Sequence, residues 1–476
     1  MCYYPFVPKN DSKVTLTMEL NQLTAISPLD GRYREKVAEL SSYISEMALI
    51  KTRIEVEAKY LIALSEAGLV RKLTVLEKKF LFEFNQNITD EQVLKVKEFE
   101  EITRHDVKAV EKFLREILEK NNLKDLLEWI HFGLTSEDIN NIARRLMLIR
   151  AIKEVIVPTL DLIVDELVGF SKQNKATSML ARTHGQPAVP TTLGKEMVNF
   201  AMRINGQIRK LEIVKLEGKL NGAVGNYNAL QLSAPGIDWV EFSRKFITSL
   251  GLIPNLITTQ INPYEDIIET LQIIQRINGI VLDLDQDIWR YVSDGWFIQI
   301  VKKREVGSST MPQKVNPIDF ENSEGNVQIA NSLFEGMVRK LAVSRLQRDL
   351  SDSTTVRNIG VGLAYSLLAY KSTLNGLSRV HPNIGLINNI LNENWTILTE
   401  GVQTILRKEG VKDPYSLITS LSKGKHIGES EWQAWIDRLD IKDSVKIQLK
   451  NLSPESYIGK AVELTELAIA LIKKSR

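Results

Sequence analysis

Residues Gly307 to Asn316 spell Gly-Ser-Ser-Thr-Met-Pro-Gln-Lys-Val-Asn, and Pro317 follows. One loop thus gathers the hydroxyls of Ser308 and Ser309, the Lys314 ammonium, the Asn316 amide and a conformationally free glycine. The run then launches a helix. Pro317 suits the first helical position, and Asp319, Glu321 and Glu324 fall where the positive end of a helix dipole favours carboxylates. A cationic, hydroxyl-rich loop ahead of an acidic first turn suits capture of a carboxylate with proton transfer beside it. A bare Gly-Ser-Ser would mean no more than a loop capping a helix; the full string carries more.

Five histidines occur, and three stand in glycine- and hydroxyl-rich strings. His105 lies in Thr103-Arg104-His105-Asp106, and His131 opens His131-Phe132-Gly133-Leu134-Thr135-Ser136-Glu137-Asp138. His184 lies in Arg182-Thr183-His184-Gly185-Gln186-Pro187-Ala188. Histidine exchanges protons near neutral pH, so these three are the candidate acids and bases. His381 and His426 have plain surroundings and read as surface or capping residues. No histidine sits in HExxH or beside a carboxylate pair at i, i+4, so no metal is expected. Asp283-Leu284-Asp285-Gln286-Asp287 begins like a calcium loop, but position six is Ile288 and position twelve is Asp294. It reads instead as the polar face of a long helix. Gly360-Val361-Gly362 lacks the third glycine of a dinucleotide fingerprint, and no GxxxxGK[ST] loop is present, which argues against ATP hydrolysis.

Long helices must position these groups. A 3.6-residue periodicity runs through the chain, and strand signals are scarce. Ile267, Ile268, Leu271, Ile274, Ile277, Val281, Leu284, Ile288 and Tyr291 share one face of a helix from Ile267 to Val292, roughly 40 Å long. Comparable segments are 152–174, with Pro158 as a kink, 194–219, 318–345 and 359–379. Five such helices argue for an elongated bundle. Several carry apolar residues on more than one face, as expected where helices bury against other copies of the chain. Shorter amphipathic helices flank them at 40–128 and 384–472. The expected division is an extension at 1–17, a helical domain at 18–130, the long-helix bundle at 131–380 and a helical domain at 381–476. His381-Pro382-Asn383 breaks the pattern at the last boundary.

Composition narrows the function. Of 476 residues, 43% are hydrophobic and 25% charged, an ordinary globular balance. Basic side chains number 61 and acidic ones 59, a net charge of +2 that offers no footprint for nucleic acid or an anionic membrane. The single cysteine, Cys2, excludes intrachain disulfides and thiolate metal sites. No run approaches the roughly 20 apolar residues of a membrane span. Residues 1–17 carry Pro5, Pro8 and scattered charges rather than the apolar run of a signal peptide, so a cytoplasmic location is expected.

Several separated strings point to one family. Ser308-Ser309-Thr310-Met311-Pro312 with Lys314 and Asn316, Thr135-Ser136, and Thr183-His184 resemble the three conserved regions of the fumarase/aspartase superfamily. Within it, the chain resembles the adenylosuccinate lyase family of the bacterial purine-biosynthesis type. The strings that carry this likeness are Ser27 to Tyr33, Arg182 to Ala188, Lys219-Leu-Asn-Gly-Ala-Val-Gly-Asn-Tyr-Asn228 and Ile318 to Asn326. It runs from about Met18 to the C-terminus. The resemblance implies a carbon–nitrogen lyase of the amidine type that needs no cofactor. Its substrates would be adenylosuccinate, split to AMP and fumarate, and SAICAR, split to AICAR and fumarate.

The same resemblance implies roles. Ser308 is the base, activated by backbone N–H groups of its turn and by Lys314. Lys314 and Asn316 hold the succinyl carboxylate and stabilise the dianionic intermediate, and Val315 is a further substrate contact. His184 is the general acid, oriented by Glu321, while His105 and His131 assist. Arg32, Tyr33, Arg348, Ser353, Thr354, Thr355, Val356 and Arg357 match the phosphate and ribose side, where arginine's fork suits phosphate. Thr135, Ser136, Asp106, Gln260 and Asn322 match other substrate contacts. At Arg104 the chain departs from the family pattern, which often has asparagine before the His-Asp pair.

The family fold is all-α, with three domains and a long central bundle that assembles as a homotetramer. Each active site collects conserved regions from three subunits. The loop from Val301 to Pro312, with its basic cluster, reads equally as a lid or as a solvated run. Another fumarate-releasing lyase, such as argininosuccinate lyase, is the alternative reaction; the Arg32-Tyr33 and Arg348–Arg357 phosphate set argues against it. A retired enzyme kept as a structural protein is the alternative of another class, against which stand Ser308, His184 and Lys314.

Overall fold

The computed structural model describes residues 21–301, 310, 311, 313–422 and 427–476. The expected extension at 1–17, the base assigned to Ser308, most of the 301–312 loop and His426 lie outside the described residues.

After short helical turns between Arg34 and Ile44 comes α1 (Glu46–Glu66), capped by the Ser45 hydroxyl, which accepts from the Ala48 N–H at 3.1 Å. Helices α2 (Asp90–Thr103) and α3 (Asp106–Lys120) follow, packed on each other and on α1. Helix α4 (Ser136–Ala151) runs through a single π turn, Ile152–Ile156, into α5 (Val157–Gln173). The discontinuity expected at Pro158 is therefore a wide turn just ahead of it. Proline lacks an N–H, and a π turn relaxes the hydrogen-bond ladder where that donor is missing.

Next comes a hairpin that the helical reading did not anticipate, β1 (Ser178–Thr183) and β2 (Gln186–Thr192). Its two-residue tip, His184-Gly185, has φ of 53° and 73°, the left-handed pair a tight hairpin turn requires. Helix α6 (Leu193–Ile213) stops short of the expected 219, because Val214 turns extended and Glu217–Gly218 pairs with Ile253–Pro254. Helices α7 (Glu265–Ser293), α8 (Ile318–Leu341) and α9 (Ile359–Leu377) complete the bundle, and α10 (Ala461–Ser475) lies on α6 and α5.

Along α7, Ile267, Leu271, Ile274, Ile277, Val281, Leu284 and Ile288 are 1% exposed or less. Each such side chain contributes about 1.5–3 kcal/mol on burial. Close approach of α9 to α8 depends on glycine: a Cβ at Gly362 would lie 2.4 Å from the Phe334 ring, and one at Gly376 2.7 Å from Phe320. Asp285 corrects the polar-face reading of the Asp283–Asp287 run. It is 1% exposed and points into the bundle, where the Thr373 hydroxyl donates to it at 2.8 Å. Burial pushes its carboxyl well above the usual carboxylate range. Among the described residues no helix is long and apolar enough to cross a membrane.

Candidate active site

The site is built around the turn before α4. Thr135 is its N-cap residue, and the Thr135 N–H donates to Asp138 Oδ2 at 2.9 Å. Asp138 also accepts from the N–H groups of Asn221 and Gly222, both at 3.1 Å. The Lys219 ammonium lies 3.2 Å from Asp138, and both side chains are wholly buried. That ammonium donates further to the carbonyls of Gly222 at 2.9 Å and Gln260 at 2.7 Å. One buried ion pair thus ties Thr135 and Ser136, the Lys219–Asn228 string and Gln260 into a single unit. A buried charge is tolerable only when so surrounded by partners.

The short helix Ser351–Val356 brings the phosphate-side candidates to this unit. Arg348 donates to the Ser353 hydroxyl at 3.2 Å, reaches Gln260 Oε1 at 3.5 Å and lies 3.6 Å from Glu137. Asp352 accepts from the Tyr264 hydroxyl at 2.7 Å. The Thr355 hydroxyl donates back to Ser351 O at 3.1 Å, the Thr354 carbonyl accepts from Asn358 at 3.0 Å, and Val356 is buried. Arg357 lies 3.3 Å from Glu46 and 3.5 Å from Asp106. Arg53, buried in α1, donates to Asp106 at 2.6 Å. Burial opposes ionisation of Asp106, but the charge and hydrogen bond of Arg53 prevail and hold its carboxyl below the usual range.

His105 caps α3: its Nδ1 accepts from the Lys108 N–H at 3.1 Å. That bond places the proton of a neutral ring on Nε2, which is left to donate outward. Arg104, just before it, has φ of 53° at the end of α2. A left-handed helix terminus favours glycine or asparagine, so this backbone suits the asparagine of the family pattern. His131 is already engaged. Its Nδ1 lies 2.5 Å from Glu57 Oε1, and its ring is 11% exposed.

The remaining candidates stand apart. Tyr33 meets Asn322, whose amide reaches the phenol oxygen at 3.4 Å, and Asn322 also accepts from Ser372 at 2.8 Å. Arg32 is exposed beside Tyr33, and Lys314 and Val315 are exposed before α8, where Asn316 is half-buried. The Val315 carbonyl accepts from Gln299 at 2.8 Å. His184 is exposed at the hairpin tip, and among the described residues its ring has no hydrogen bond or ion pair. Glu321 accepts from the Trp289 indole at 3.0 Å instead. A single chain therefore draws Thr135, Ser136, Gln260, Arg348, Ser353, Arg357, Asp106 and His105 into one neighbourhood. It does not join His184 to Glu321.

Glu137, Lys219 and Arg53 were not singled out from the sequence. Lys219 does lie inside a string that the resemblance quotes and Glu137 inside the string around His131, whereas nothing local distinguishes Arg53 from other helical arginines.

A sequence family described as Lyase matches residues 31–330. A second, described as Adenylosuccinate lyase C-terminal, matches residues 344–458. The chain is 45% identical over 453 residues to the adenylosuccinate lyase of Haemophilus influenzae, covering 94% of this chain and 99% of that protein. The chain belongs to the adenylosuccinate lyase family. Its likeness to the adenylosuccinate lyase of Dictyostelium discoideum is 46% over 460 residues, with 94% and 98% of the two chains covered. Among solved structures, a fumarate lyase from Mesorhizobium sp. BNC1 superposes with a TM-score of 0.72 at 17% identity, over 92% of this chain and 97% of that one. The 3-carboxy-cis,cis-muconate lactonizing enzyme of Pseudomonas putida gives 0.70 at 16%, over 93% and 97%. Those two likenesses show the fold, a mostly helical one.

Proposed function

We propose that this adenylosuccinate lyase family member removes fumarate from adenylosuccinate to give AMP, and from SAICAR to give AICAR, in the cytoplasm. The reaction is a β-elimination across a C–N bond. A base takes the proton from the carbon next to a carboxylate, the carbanion spreads onto that carboxylate, and an acid protonates the departing nitrogen. Ser308 is assigned the first step and His184 the last. Lys314 and Asn316 stabilise the carboxylate charge, with Thr135 and Ser136 as further substrate contacts. Arg348, Ser353 and Arg357, with Arg32 and Tyr33, take the phosphate.

The observation that carries this reading is the junction at Arg348. It places a guanidinium suited to phosphate within reach of Gln260 and Ser353, on the buried unit that carries Thr135 and Ser136. This supports a site in which the phosphate-side residues and the other substrate contacts lie side by side in one chain. The exposed tip of His184 and the engagement of Glu321 by Trp289 support a homotetramer in which another copy completes the site. So do the exposed apolar side chains Trp289, Ile318 and Ile329 on the bundle helices, at 41%, 57% and 46%.

An ultraviolet assay of the purified protein with adenylosuccinate, and argininosuccinate as control, tests the reading. AMP and fumarate in equal amounts from adenylosuccinate alone are expected. No turnover of adenylosuccinate by an assembled oligomer would overturn the substrate assignment.

A further inference from the structure

Glu137 is the second residue of α4, directly after Ser136, and is wholly buried. Among the described residues neither of its carboxyl oxygens accepts a hydrogen bond. Its nearest cation is Arg348, at 3.6 Å. Burial pushes the carboxyl up, and the charges of Arg144 and Arg348 pull it back. Two further charges face it, Lys219 on the buried unit and Asp352 on the short helix that carries Ser353.

A structural ion pair in this protein looks different. Arg145 grips Asp266 with two hydrogen bonds, at 2.7 and 2.9 Å, and donates to Pro263 O at 2.7 Å. That carboxylate is satisfied, whereas Glu137 is buried, stripped of donors and held only loosely by Arg348. A carboxylate left so is costly unless the cation beside it offsets the burial. Arg348 has the complementary pattern: its Nε is buried with no acceptor among the described residues, while its two terminal nitrogens reach Ser353 and Gln260.

We infer that Glu137 is a positioning residue for the phosphate end of the substrate, its buried carboxylate holding the Arg348 guanidinium aimed at the nucleotide. The inference rests on the function proposed above. The carboxylate acts from behind the guanidinium, so it touches no substrate atom. The helix N-terminus on which Glu137 sits adds favourable field for its negative form.

Glu137→Gln keeps the shape and removes the charge. Weakening of AMP and inorganic phosphate binding by about 10-fold is expected, read by titration calorimetry, with fumarate binding unchanged. Adenylosuccinate KM should rise by a similar factor while kcat holds, the signature of lost ground-state binding. In the double variant with Arg348→Lys, KM should match that of Arg348→Lys alone, because both changes break one interaction. Glu137→Asp, which retains the charge, should show the same pattern at smaller amplitude and serves if the glutamine variant does not fold. Equal losses in phosphate and fumarate binding, or a lowered thermal midpoint with phosphate binding intact, would reduce Glu137 to a structural group and overturn the inference. Because calorimetry needs no turnover, failure of the wild-type protein to cleave adenylosuccinate would sink the proposed reaction while this inference is still judged on phosphate binding.

Discussion

His131 and His184 occupy the same rare backbone region, with φ of 57° and 53°, and share almost nothing else. His131 is clamped by Glu57, which accepts from its backbone N–H at 3.1 Å and meets its ring at 2.5 Å. His184 sits at the tip of a hairpin, exposed and without a ring partner among the described residues. A left-handed conformation at a side chain of this size costs roughly 1–2 kcal/mol. At His131 two hydrogen bonds to a buried carboxylate offset that cost. At His184 no hydrogen bond of the ring among the described residues does so, and the strained turn instead projects an imidazole outward, as functional sites often do. The two rings are thus a lock and, on the proposed mechanism, a tool.

The largest effect should fall on the tool. His184→Gly removes the proposed acid and also relieves the left-handed strain, so turnover should drop by about 100- to 10,000-fold. The thermal midpoint of the same variant should hold or rise. Steady-state rates and a melting curve on one preparation read both, and near-normal turnover would refute the assignment of His184. Mixing that inactive variant with Ser308→Ala, and finding partial recovery of rate, would further show that two subunits share one site.

The lock should fail in the opposite sense. Glu57→Leu strands a buried imidazole and a backbone N–H, and should cost about 3–5 kcal/mol of stability. Urea unfolding measures this, and an unchanged midpoint would mean that Glu57 does not hold the turn. The pH dependence gives a subtler test. Burial lowers the basicity of His131, but the charge and hydrogen bond of Glu57 outweigh it and raise the pKa above the ordinary 6.5. A group whose pKa is raised by folding contributes stability that is complete below its unfolded pKa and fades as pH climbs through the folded one. Wild-type stability should therefore decline relative to Glu57→Leu as pH rises above 6.5. A difference independent of pH would show that the ring is not charged in the fold.

Which histidine is locked could not be read from the sequence, since Glu57 is 74 residues from His131. The bundle, by contrast, was plain. Burial follows the apolar period of α7 closely, and its observed bounds of Glu265–Ser293 extend the expected 267–292 by a residue or two at each end. The hairpin bearing His184 was missed because Pro187 and Pro190 interrupt any alternation in β2, leaving only Gly185 as a cue. Helix α6 was drawn too long because Val214 and Leu216 continue the helical pattern of apolar residues. Pairing of Glu217–Gly218 with Ile253–Pro254, and the Glu217 N–H bond to Asp266 at 2.8 Å, override that local preference. Asp285 was misjudged for a related reason: the hydroxyl that makes its burial tolerable lies on α9, 88 residues away. At the site, the strings that resemble the family identify residues but not contacts. The fold supplies the contacts, with Arg348 meeting Gln260 across another 88 residues.

Arg104 supplies the smallest test of the same contrast. It too is left-handed, at φ 53°, and it is exposed at the end of α2, one residue before His105. If its backbone conformation is what the position demands, Arg104→Asn should relieve strain and gain about 0.5–1 kcal/mol, read as a modest rise in the thermal midpoint. The capping bond from Lys108 to His105 Nδ1 does not involve the Arg104 side chain, so the ring should keep its tautomer and turnover should stay within the same order of magnitude. A large fall in turnover with a raised midpoint would instead place the Arg104 guanidinium on the substrate. This left-handed residue would then join His184 as a tool rather than marking only the end of a helix.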